Sequence, residues 1–238
     1  METTYILGIA SFFTSAVAGV FGFGGGLLLI SILPAFLAPH LIVPVHGVTQ
    51  LASNVSRMYF SWSSVRWDFL PKFIAGTLLG VIVFGFLIVS MPTEYIPLAI
   101  GIYILLNIWS KRFSTFIGQY ESYYVIGFLQ SGLGLVVGAT GPLALSVLTK
   151  DLEDKNQIIA TSALFMTISH LSKILVFGII GFSLTGNLAL LTVMVICSVL
   201  GSFIGTQLRR TANNEKWIYA IKALLTVMAI KMIATVLM

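Results

Sequence analysis

The chain has 238 residues, 58% of them apolar and 9% charged, with a mean hydropathy of +1.01. A soluble domain of this composition lacks the polar material to cover its surface, so an all-α polytopic membrane protein is expected. The net charge of +5 points to the lipid bilayer and not to nucleic acid, because the cations gather at the ends of apolar segments, as membrane topology requires.

In chain order, residues 4–38 are apolar but interrupted by glycines at Gly22, Gly24, Gly25 and Gly26, which predicts two part-length helices meeting at a break. Apolar segments follow at 45–64 and 71–91, and a shorter one at 95–110 lies between Pro92, Pro97 and the Lys111-Arg112 pair. Residues 122–149 form a second broken segment, interrupted from Gly138 to Pro142, and are followed by apolar segments at 157–181, 185–207 and 216–237. The start Met-Glu-Thr-Thr has no basic region, so the first segment is expected to be retained and not cleaved as a signal peptide. Cys197 is the single cysteine, which excludes an intrachain disulfide.

The two halves repeat. A shift of 116 positions carries Gly22 onto Gly138, Gly25 onto Gly141, Phe12 onto Phe128, and Ser53 to Arg57 onto Ser169 to Lys173, without a gap. Basic residues at Arg66 and Lys72, at Lys111 and Arg112, and at Arg209, Arg210 and Lys216 mark loops expected to be cytoplasmic. The connections at 39–44, 91–94 and 182–187 carry no Lys or Arg. Joining these loops requires three full crossings per half, with each broken segment entering and returning as a hairpin. An odd number of crossings inverts the second copy. The expected fold is therefore two inverted repeats, residues 1–113 and 114–238, each a broken-helix hairpin plus three transmembrane helices, with both termini outside.

Each repeat places a cation inside an apolar segment. Gln50, Ser53, Asn54 and Arg57 share one helical face, as do Met166, Ser169, His170 and Lys173 at the equivalent positions. A cation inside a span costs about 2.5–3.5 kcal/mol on insertion scales, so it is expected to face a partner or a wet cavity. No acidic residue falls within a predicted span, which leaves a transported anion as the counter-ion for Arg57 and Lys173. The alternative is that both cations snorkel to an interface, and that the neighbouring polar side chains only bond between helices.

The breaks agree with this reading. Helices starting after Gly24, Gly25 and Gly26, and after Thr140 and Gly141, present free N–H groups and positive dipole ends, with Thr140 as a hydroxyl cap and Pro142 in the first turn. Gly76 with Gly80 and Gly201 with Gly205 are read as close-packing positions.

The stretches GVFGFGGGLLLISILP and SGLGLVVGATGPLALSVL, followed by HGVTQLASN and IATSALFMTISH, resemble the TauE/SafE sulfite exporter family. The likeness covers nearly the whole chain and its duplication, although the second repeat has GATGP where a richer glycine run is common. It implies a bacterial or archaeal cytoplasmic-membrane transporter of sulfur-containing anions such as sulfite, sulfonates or thiosulfate. The substrate site expected from the residues comprises Arg57, Lys173, Gln50, Ser53, Asn54, Ser169, His170, Gly24, Gly25, Gly26, Thr140 and Gly141. His170 is the one in-span group that titrates near neutral pH.

Other readings make different demands. An anion channel would use the same residues without saturating. An intramembrane hydrolase needs a serine nucleophile oriented by His170, for which no motif is visible. A purely structural membrane protein would keep its cations for assembly. His40, His46 and His170 are too dispersed in sequence to argue a metal site, and no cofactor motif is present. Association of copies into a homo-oligomer is compatible with the sequence but not specified by it.

Overall fold

The structure, a computed structural model, describes residues 2–119, 122–183, 185–209 and 215–237, and among these it is helical without strands. Helix α1 spans Glu2–Phe21 and α2 spans Gly25–Ile32, followed by α3 (Pro39–Phe60), α4 (Leu70–Ser90) and α5 (Ile96–Trp109). A short helix, α6 (Lys111–Gly118), leads to α7 (Tyr123–Val137), α8 (Gly141–Asp151), α9 (Lys155–Ile179), α10 (Leu188–Leu208) and α11 (Glu215–Leu237).

The element order recurs at the sequence offset. Helices α2 and α8 begin at Gly25 and Gly141, and α3 and α9 begin at Pro39 and Lys155, each pair 116 positions apart. Both breaks start with the same device. Gly22 (φ 83°) and Gly138 (φ 76°) adopt the left-handed conformation that only glycine enters without steric cost, ending α1 and α7. Each N–H still bonds to the carbonyl four residues back, Gly22 to Ala18 at 2.9 Å and Gly138 to Gly134 at 3.1 Å.

Three expectations are corrected. The first arm of the first hairpin is not part-length: α1 has 20 residues, about 30 Å at 1.5 Å per residue, whereas α2 has 8. Helix α3 starts at Pro39, not near residue 45. Pro39 sits in the first turn, where its missing N–H costs nothing, and Pro44 is absorbed inside the helix. The Lys111-Arg112 pair, expected in a loop, opens the helix α6.

Packing between the halves is reciprocal: α1 lies on α10, α7 on α4, α3 on α9 and α5 on α11. The first two contacts bring backbone against backbone. A Cβ at Gly76 would overlap the Tyr124 carbonyl and one at Gly80 the Phe128 carbonyl, and on the other side Gly201 meets Phe12 and Gly205 meets Ala16. Phe12 and Phe128 are equivalent positions in the two halves. In hydrocarbon, where burial of apolar surface gives no preference for a protein neighbour over lipid, such close approach and interhelical hydrogen bonds hold helices together. Ser53 Oγ pairs with Ser202 Oγ at 2.9 Å, and Thr77 Oγ1 with Ser131 Oγ at 2.9 Å.

Four helices among the described residues are long and apolar enough to cross a membrane: Glu2–Phe21, Trp67–Ser90, Lys155–Ile179 and Thr185–Leu208. Their outward side chains, including Phe13, Leu78, Phe86, Ile196 and Leu200, are exposed and apolar, as a lipid-facing surface requires. Helix α3 is equally long but carries its polar residues on buried faces at the centre, against α9 and α10.

Candidate functional site

The site is built where the first break meets α3. Gln50, Asn54 and Arg57 lie on successive turns of one face, and all three are buried, Arg57 with 3% of its surface exposed. They line a cavity of about 30 Å³ together with Gly24, Gly25 and Gly26, and Gly141 and Pro142 of the second break close its far wall. That volume holds about two water-sized spheres.

The cavity is rich in donors. Arg57 Nη2 donates to Asn54 Oδ1, and Asn54 Nδ2 donates to the Gln50 carbonyl at 2.6 Å, so the amide is oriented by its own helix. Arg57 Nε and Nη1 and Gln50 Nε2 have no hydrogen-bond partner among the described residues. The first N–H groups of α2 have no acceptor within their helix, and the N-cap Gly24 has no side chain to supply one. All of these groups donate. A buried donor without an acceptor costs about 1–3 kcal/mol, more when charged, and an anion removes that cost. Every described acidic side chain is exposed, so none of them supplies the charge at depth. Arg209 adds a second, like charge that acts on Arg57.

Of Gly24, Gly25 and Gly26, Gly25 is the one required by space. Gly25 leaves no room for a Cβ, which would overlap the Thr14 carbonyl of α1, and a Cβ at Gly26 would stand 3.4 Å from Gln50 Oε1. In the second half Met166 stands at the position equivalent to Gln50, and its thioether lies 3.7 Å from a Cβ placed at Gly141. There the site has an apolar wall where the first half has an amide.

Lys173 and His170 do not line this cavity. Lys173 Nζ donates to the Gly138 carbonyl at 2.5 Å and to His170 Nδ1 at 3.1 Å, so the second-half cation caps the end of α7. Ser169 Oγ bonds to Ser131 Oγ at 2.9 Å and accepts from Gln130 Nε2 at 3.1 Å. Ser53 faces α10. Thr140 does not act as the expected hydroxyl cap. Its backbone (φ −124°, ψ 16°) is not the extended form of an N-cap, and its hydroxyl donates to the Gln130 carbonyl at 2.8 Å, tying α7 to α8. The structure thus brings Arg57, Gln50, Asn54, Gly24, Gly25, Gly26 and Gly141 to one cavity. It assigns Lys173, His170, Ser169, Ser53 and Thr140 to contacts around it.

Two buried residues escaped the sequence reading. His46 Nε2 donates to the Gly26 carbonyl at 3.0 Å, fixing the first break to α3, and its ring lies 5.5 Å from that of His170, edge to face. Arg209, read only as a topology charge, donates from Nε to the Gly19 carbonyl at 2.9 Å. A periodicity count would have found His46, which lies four residues before Gln50 on the same helical face. His170 Nδ1 accepts from Lys173, and no serine hydroxyl bonds to its ring among the described residues.

A helical, multi-pass membrane protein with a buried cationic cavity between two glycine breaks is a transporter by class. The model of the sulfite exporter TauE/SafE family matches residues 7–232, and the chain belongs to that family of membrane transporters. No curated protein and no solved structure matches it.

Proposed function

We propose that the chain carries small sulfur oxyanions, of the sulfite, sulfonate or thiosulfate type, across a bacterial or archaeal cytoplasmic membrane, with the Arg57 cavity as the substrate site between two inverted repeats, residues 1–113 and 114–238. The observation that carries this reading is the set of donors without partners among the described residues, Arg57 Nε, Arg57 Nη1 and Gln50 Nε2, around one cavity that no described carboxylate lines. Reciprocal packing of α1 on α10 and α7 on α4 supports the repeats. The guanidinium fork suits two oxygens of a sulfur oxyanion, and the N–H groups at Gly25 and Gly26 suit the third. Lys173, His170, Ser169, Ser53 and Thr140 hold the frame in which these donors stand. A narrow cavity of about 30 Å³ at the meeting of two helix breaks favours a carrier with alternating access over an open anion channel.

The test is thermal stability of the purified protein against sulfite, thiosulfate, sulfoacetate, taurine, sulfate and short carboxylates. A ligand at 100 times its Kd stabilises the folded state by about 2.7 kcal/mol. A selective upshift with sulfur oxyanions that vanishes in Arg57→Gln supports the assignment. Equal shifts in wild type and Arg57→Gln reject it.

A further inference from the structure

A second polar cavity, of about 230 Å³, opens at the ends of α3, α9 and α10. Ser61, Ser63 and Ser64 follow α3, Asn156 stands in the first turn of α9, and Thr206 and Arg209 close α10. Arg209 is 8% exposed, and its Nη2 and the Thr206 hydroxyl have no hydrogen-bond partner among the described residues. A buried guanidinium held at Nε by the Gly19 carbonyl, with hydroxyls and amides around it and no carboxylate among the described lining residues, has the donor set of an oxyanion pocket.

Its position relates it to the inner cavity. On α3, Arg57 lines the inner cavity and Phe60 the outer one, three residues or about 4.5 Å apart along the helix, with Ser61 just beyond. On α9 the corresponding residues are Ser162 and Asn156, and at the end of α1 Gly19 holds Arg209 while Ala18 and Gly22 line the inner cavity. Helices α3 and α9 therefore line both cavities, and α1, which lines the inner one, anchors Arg209 of the roomier outer one.

We propose that the Arg209 cavity is a vestibule site that holds a hydrated oxyanion before it sheds water and enters the Arg57 cavity. The binding site stands on its own lining. Its place on the transport route rests on the function proposed above.

The test is equilibrium binding of radiolabelled sulfite to the full chain in phosphatidylcholine nanodiscs. Two sulfites per wild-type chain are expected. Arg209→Gln weakens the outer site about tenfold or more, the loss for a charge-assisted hydrogen bond. Because Arg209 also holds Gly19, the double variant Ser61→Ala with Thr206→Val serves as a second probe, and it weakens the same site several-fold with that bond intact. One sulfite per wild-type chain, or isotherms of both variants that superimpose on wild type, overturns the vestibule whatever Arg57 does. An unchanged Arg57→Gln isotherm with a weakened Arg209→Gln one overturns the inner site instead and leaves the vestibule standing. Repeating the titration in phosphatidylglycerol separates a free anion from a lipid headgroup. Unchanged binding supports the free anion, and loss of only the Arg209-dependent site assigns the pocket to lipid phosphate and overturns the vestibule role.

Discussion

Gly19 offers a prediction in which two effects of opposite sign compete. Alanine in place of a glycine inside a helix gains about 1 kcal/mol from propensity alone. At Gly19 the added Cβ would stand 2.8 Å from the Gly205 Cα and 2.9 Å from the Thr206 nitrogen, both backbone atoms of α10 that cannot swing away. Restoring ordinary carbon contact of about 3.5–4.0 Å parts α1 from α10 by roughly 1 Å. Overpacking of this kind costs about 1–3 kcal/mol. The same shift stretches the 2.9 Å bond from Arg209 to the Gly19 carbonyl, a charge-assisted bond of about 1.5–3 kcal/mol, of which part is lost. The net expectation for Gly19→Ala is destabilisation of about 1–2 kcal/mol, a melting point lower by roughly 2–8 °C for a chain of this length. Gly85 in α4 is the control, because a Cβ there meets nothing within 4 Å and only the propensity gain remains. Thermal unfolding of both variants in one detergent decides the matter. A Gly19→Ala protein as stable as Gly85→Ala would refute the backbone contact between α1 and α10.

Lys173→Met leaves the Gly138 carbonyl without its donor, so a loss of about 1–3 kcal/mol in thermal stability is expected, with sulfite affinity measured by calorimetry changing less than about threefold. The Ser53 and Ser202 hydroxyls pair between helices and face no cavity, so a double-mutant cycle with alanine at both sites should give a coupling near 0.6 kcal/mol and unchanged sulfite affinity. Asp68 is exposed in the first turn of the Trp67–Ser90 segment and accepts from Arg66 Nε at 2.9 Å and Nη2 at 2.7 Å. This exposed pair stands apart from the Arg57 cavity, so Asp68→Asn should leave sulfite flux unchanged between about pH 5 and 8.

The duplicated architecture was readable because polar spacing and glycines repeat at one offset, and the element starts at Gly25 and Gly141 follow it. Helix starts near prolines were not, since Pro39 and Pro44 read equally as loop residues until tertiary burial of His46 and Gly47 extends α3 through them. Half of the cavity was legible for a similar reason. Gln50, Asn54 and Arg57 share a face that any helix would present, whereas Lys173 occupies the matching position yet bonds to Gly138. What separates them is a neighbour in space: His170 accepts from Lys173 on the second side, while Asn54 at the same repeat position accepts from Arg57 and leaves two of its nitrogens free. Arg209 was invisible as a buried group because a cation at a span end satisfies topology rules whether or not it folds inward.

The central claim is that Arg57 supplies the charge for a transported oxyanion. Sulfite flux into proteoliposomes, compared among wild type, Arg57→Lys and Arg57→Gln at matched, folded protein, tests it directly. Saturable flux in wild type, reduced flux in the lysine variant that keeps charge without the fork, and none above empty liposomes in the glutamine variant is the predicted result. Equal flux in wild type and Arg57→Gln would contradict it.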